Sequence, residues 1–74
     1  MEEVRAEMVA NVLSVNVAVG DVVGTTTELV LLESMKMEIP VLAEVAGTVV
    51  EIVVSPGDVV NDGDPLVVID PDRT

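Results

Sequence analysis

A shift of 37 residues lays this 74-residue chain over itself. Val19-Gly20-Asp21-Val22-Val23 falls on Pro56-Gly57-Asp58-Val59-Val60. Asn11-Val12-Leu13-Ser14-Val15 falls on Thr48-Val49-Val50-Glu51-Ile52, and Leu29-Val30-Leu31-Leu32-Glu33 on Leu66-Val67-Val68-Ile69-Asp70. Each half reads as a strand, a Gly-Asp turn, a short strand, a second turn and another strand. Neither half can bury its apolar faces alone, but two halves packed about a pseudo-two-fold axis can. A solenoid needs at least about three repeats, so two copies favour a closed domain. The expected fold is all-β, a flattened barrel or sandwich of about eight short strands.

Local chemistry points the same way. Nineteen residues are Val, and there is no Phe, Tyr or Trp. Valine is stiff at χ1 and favours strands over helices. Asn11 to Val17 and Thr48 to Val54 read as equivalent strands, the second stopped by Ser55-Pro56-Gly57-Asp58. At Gly20-Asp21 and Gly57-Asp58, Gly supplies a positive φ while Asp bonds the nearby backbone. Gly63 sits in a further turn cluster, Asn61-Asp62-Gly63-Asp64, and Pro65 can open the last strand. Two glycines of the second half are not repeated in the first: Ala10 stands against Gly47, and Thr26 against Gly63. A β-branched residue at positive φ is strained. Gly24-Thr25-Thr26-Thr27 should therefore have its own geometry, with Gly24 taking over the glycine's part.

The length allows one domain, residues 1–74, with a core of about 7–70. The chain has no Cys and no His, which removes disulfides, thiolate metal sites and the commonest general base. The net charge is −11, with Arg5, Lys36 and Arg73 as the only basic residues. Nucleic acid needs clustered cations and stacking aromatics, so it is excluded. An anionic membrane surface is disfavoured by the same charge. No segment is apolar enough to span a bilayer, and the acidic start Met1-Glu2-Glu3-Val4-Arg5 lacks an h-region. The expectation is a cytoplasmic protein, monomeric in isolation, whose partners present basic or neutral surfaces.

The two halves meet at Glu33-Ser34-Met35-Lys36-Met37-Glu38. Glu28 to Glu33 reads as one strand and Ile39 to Ala43 as another, with a hairpin-length connection between them. Lys36, the only lysine, then sits at a hairpin tip, at the opposite end of the domain from the termini. Turns usually hold Gly, Asn, Asp or Ser, so Met35 and Met37 are out of place there. Flexible, polarisable Met side chains make adaptable contact surfaces. Lys in a turn is ordinarily a solvated charge and Met ordinarily core filler. Here a single lysine, paired Met flanks, Glu33 and Glu38 coincide at the join of a repeat.

This segment resembles the attachment motif of biotinyl domains, usually Glu-Ala-Met-Lys-Met, with Ser34 in place of the Ala. The resemblance runs through both Gly-Asp turns and covers roughly Glu7 to Asp70. It implies that biotin protein ligase joins biotin, activated as biotinyl-AMP, to the Lys36 amine. Glu33, Ser34, Met35, Met37 and Glu38 would form the surface the ligase recognises. With no His in the chain, the ligase must supply the base or desolvate the amine. The family's role is a carboxyl carrier that visits a biotin carboxylase and then a carboxyltransferase. The protruding thumb of some biotin carriers has no room between Gly20 and Glu28.

Three rivals remain. Lipoyl carriers share the fold but usually have Asp-Lys-Ala or similar at the tip. An unmodified β interaction module would work without Lys36. An enzyme in its own right has little support: Asp62 and Asp64 are paired carboxylates, but they lie in a turn cluster without a full metal-ligand set.

Overall fold

A computed structural model describes residues 1–73. Eight strands form two four-stranded antiparallel sheets, with no helix among the described residues. The strands are β1 (Glu2–Arg5), β2 (Ala10–Val15), β3 (Val22–Val23), β4 (Glu28–Ser34), β5 (Met37–Leu42), β6 (Gly47–Ile52), β7 (Val59–Val60) and β8 (Pro65–Asp70). One sheet has the order β1-β8-β6-β3 and the other β5-β4-β2-β7. The 37-residue shift maps one order onto the other strand by strand. It also maps the irregularities: β2 slips against β4 between Val12 and Ser14, and β6 against β8 between Val49 and Glu51.

The core is built from symmetry pairs. Leu29 and Leu66, Val30 and Val67, Leu32 and Ile69, Val12 and Val49, and Val23 and Val60 are all buried. Each large aliphatic side chain removed from water contributes about 1.5–3 kcal/mol. The sheets reach this packing without aromatics because valine's compact branch fits between facing pleats. The two halves are then locked across the axis by backbone bonds. Gly20 N–H donates to Val49 O at 2.8 Å and Val49 N–H to Asp21 O at 2.9 Å. Their counterparts are Gly57 N–H to Val12 O at 2.8 Å and Val12 N–H to Asp58 O at 2.8 Å.

The Gly-Asp turns behave as their chemistry dictates. Gly20 has φ 99° and Gly57 φ 96°. Asp21 Oδ2 accepts from Ala18 N–H at 2.8 Å, and Asp58 Oδ2 from Ser55 N–H at 2.9 Å. Asp64 does the same for Asn61 N–H at 2.8 Å, so the Asp62–Asp64 pair is turn chemistry. No group of metal-ligating side chains occurs among the described residues.

Three details differ from the sequence reading. First, β1 pairs with β8, Glu2 opposite Ile69, so the folded unit starts before the expected core boundary at residue 7. Only Val4 in that strand is apolar and partly buried, so it carries little hydrophobic pattern. The repeat held the signal: Val4-Arg5-Ala6-Glu7 lies over Val41-Leu42-Ala43-Glu44. Second, Gly24 does not take the positive φ. Thr27 Oγ1 caps Gly24 N–H at 2.9 Å, Glu44 adopts φ 60°, and its N–H donates to Thr25 O at 2.8 Å. The left-handed residue has moved from the turn to Glu44, in the connection between β5 and β6 that docks on it. Third, Gly47 is a matter of space. A Cβ there would lie 2.4 Å from Asp70 O, whereas Ala10 at the equivalent point is buried without difficulty.

Candidate functional site

The hairpin β4–β5 carries the central segment. Six cross-strand pairs zip it from Glu28–Leu42 to Ser34–Met37, leaving Met35 and Lys36 alone as the loop. The sequence suggested a five-residue connection; the strands run further and close it to two residues. Both loop residues have positive φ, 54° at Met35 and 65° at Lys36. That is a type I′ turn, whose twist matches the flanking strands and which ordinarily uses Asn-Gly. A left-handed conformation costs a side-chain-bearing residue about 1–2 kcal/mol. The zipped hairpin imposes it, with Leu32 buried and Ile39 packed against the core two rows below the tip.

Met35 is 91% exposed, Met37 66% exposed, and Lys36 is exposed between them. Ser34 and Glu33 are half-buried, and Glu38 is exposed. The sole ion pair among the described residues joins Arg5 to Glu3, so the Lys36 ammonium has no carboxylate partner. Glu33 lies directly opposite Glu38. Like charges facing across strands are unfavourable to the fold. Together they form an acidic collar two residue pairs below the lysine, beneath Ser34–Met37. All six residues of the motif are thus brought to one tip. Gly20, Asp21, Gly57, Asp58 and Gly63 lie elsewhere, in the turns that shape the two sheets, and Gly47 is the first residue of β6.

The tip projects. A groove of about 660 Å³ runs between the edge strands β1 and β5, but Met35, Lys36 and Met37 are not in its walls. The pseudo-two-fold carries the tip onto Pro71-Asp72-Arg73, next to the start of β1. There Thr48 Oγ1 donates to Arg73 O and Asp70 Oδ1 accepts from Asp72 N–H at 3.0 Å, folding the segment onto the sheet. The symmetric partner of the lysine site is thus tied down where the lysine site is free. No helix among the described residues is long and apolar enough to cross a membrane. The stretch between Gly20 and Glu28 holds only β3 and one turn, with no thumb.

An exposed, unpaired primary amine on a projecting hairpin tip is fitted to carry a group as an amide. Comparison with known proteins agrees. The family described as "Biotin-requiring enzyme" matches residues 2–69. The chain is 62% identical over 68 residues to a "Biotinylated protein TB7.3 homolog" of Mycobacterium leprae, covering 92% of this chain and 96% of that one. Among solved structures, a single-chain, multi-domain long-chain acyl-CoA carboxylase contains a region that superposes with TM-score 0.88 at 37% identity. That match covers 99% of this chain and 7% of the carboxylase. The lipoyl domain of the 2-oxoglutarate dehydrogenase complex of Azotobacter vinelandii superposes with TM-score 0.71 at 31% identity, over 84% of this chain and 78% of the domain. The two sheets, the projecting hairpin and these likenesses agree, and the chain belongs to the biotin/lipoyl attachment family as a biotinyl domain.

Proposed function

We propose that this protein is a biotin carboxyl carrier with biotin joined to the Nζ of Lys36. The observation that carries the reading is the sole lysine, exposed and unpaired, at the apex of a two-residue turn between two exposed methionines. A biotin protein ligase forms the amide, reading Met35, Met37, Ser34 and the Glu33–Glu38 collar. The bound biotin supplies the nitrogen that accepts and releases a carboxyl group. A biotin carboxylase loads it and a carboxyltransferase unloads it, in a cytoplasmic setting; the likeness to a multi-domain acyl-CoA carboxylase supports this pairing.

This chain's residues do three things in that cycle. The I′ turn points the lysine outward, the hairpin beneath it holds still, and the methionines offer an apolar grip. Tethering raises the carried group's effective concentration at each partner's site, to the millimolar range for short flexible links. The chemistry belongs to the cofactor and the partners, and residues 1–74 act as one carrier domain with no catalytic residue of their own.

Incubation with biotin, ATP and a biotin protein ligase, followed by intact-mass analysis, tests the reading. The expected result is one biotin per chain, absent from Lys36→Arg. Attachment of lipoate by a lipoate ligase, with no biotin accepted, would assign the chain to lipoyl transfer instead.

A further inference from the structure

Lys36 is flanked by two sulfur atoms that nothing protects. The chain has no Cys, His, Trp or Tyr, so its four methionines are the only readily oxidised side chains it has. Their environments differ. Met8 is half-buried and packed against the core, whereas Met35 and Met37 are 91% and 66% exposed. Met1 is 75% exposed but stands before β1, at the end the pseudo-two-fold exchanges with the tip. Met35 is also held at φ 54° in a two-residue turn, so it cannot withdraw into the sheet without unzipping Ser34 from Met37.

We propose that Met35 and Met37 form a reversible oxidation site that controls access of the ligase to Lys36. This rests on the proposed role of Lys36. A sulfur lone pair attacks one oxygen of a peroxide, the O–O bond breaks, and the departing hydroxide takes a proton to leave as water. The thioether is oxidised to a sulfoxide and the peroxide is reduced. An apolar, flexible side chain becomes polar and chiral. The tip then loses the apolar contact it offers, while the β4–β5 hairpin below stays intact because neither sulfur is buried in it. Methionine sulfoxide reductases, one for each epimer, reverse the change.

The test treats the unmodified protein with hydrogen peroxide, removes the peroxide, and then adds biotin, ATP and ligase. Peptide mass mapping should show one added oxygen at Met35 and at Met37 well before Met8. Biotinylation kcat/KM should fall about tenfold or more, the order expected when one buried apolar contact is lost at an interface. A mixture of both reductases should restore it. In the variant Met35→Leu/Met37→Leu the treated-to-untreated ratio should return to one, although Met1 still gains its oxygen. Met8→Leu should retain the full sensitivity. Oxidation at Met8 as fast as at the tip would overturn the proposal, and so would an unchanged rate with both tip sulfurs oxidised. Failure of the carrier reading is distinct: the untreated protein would then accept no biotin, and both proposals would fall.

Discussion

At the scale of single residues, the tip joins three unfavourable choices. Met35 and Lys36 occupy left-handed backbone that suits Asn and Gly, and Glu33 faces Glu38. Sites of this kind persist where function needs them and the surrounding structure enforces them. Met35→Asn should therefore raise stability, by about 1 kcal/mol, because Asn tolerates αL better. Thermal unfolding of the unmodified protein measures this, and an unchanged or lower Tm would show that the turn is not strained. The same substitution should slow biotinylation, separating stability from recognition. Glu38→Lys removes the facing charge pair yet should weaken recognition by the ligase. Unchanged biotinylation kinetics would remove Glu38 from the recognised surface. Lys36, Met35 and Met37 could be picked from the sequence because their types are wrong for an ordinary turn. Their φ angles could not, since nothing in the local sequence calls for a I′ turn.

Among the elements, the crossover into β6 and the Gly-Asp turns are where the two halves can be compared. Gly47 lies against Asp70 O, and Ala10 occupies the matching place in β2. Gly47→Ala should destabilise by about 1–3 kcal/mol, because backbone must move to admit the methyl. Ala10→Gly should cost less, about 0.5–1 kcal/mol, mainly in backbone entropy. Equal losses in denaturant titrations would contradict the packing difference seen here. The strands themselves were legible, because β-branched runs and turn residues bound them on both sides. β1 was not, being an exposed edge strand of mostly charged residues that forms only because β8 offers it a partner. The Thr26 turn was half legible. Its departure from glycine showed in the repeat, but the compensating left-handed Glu44 lies on a different segment, so only the docked pair reveals it.

The whole molecule measures 35 × 18 × 17 Å, elongated along the line that two interlocked halves produce. β1 pairs with β8 as β5 pairs with β4, Glu2 opposite Ile69 and Ile39 opposite Leu32. The segments before Glu2 and after Asp70 therefore meet where the other half has its hairpin tip. Joining them by a short linker should leave both sheets undisturbed and restrict the unfolded chain. Tm should rise by more than about 4 °C, the shift that roughly 1 kcal/mol produces in a domain this small. Lys36 should accept biotin as before, and a lower Tm would show that the ends do not meet as the pairing implies.

The sequence by itself determined the class of fold, the two-fold relation of the halves and the residue that stands at their join. These follow from composition, turn chemistry and an internal repeat, all local properties or properties of the chain compared with itself. Tertiary structure alone decided that the lysine's loop is two residues long, that its backbone is left-handed, and that the equivalent site at Arg73 is folded down. Each of these depends on which strand a segment finds as its neighbour, and pairing across the sheet is a contact between residues distant in the chain.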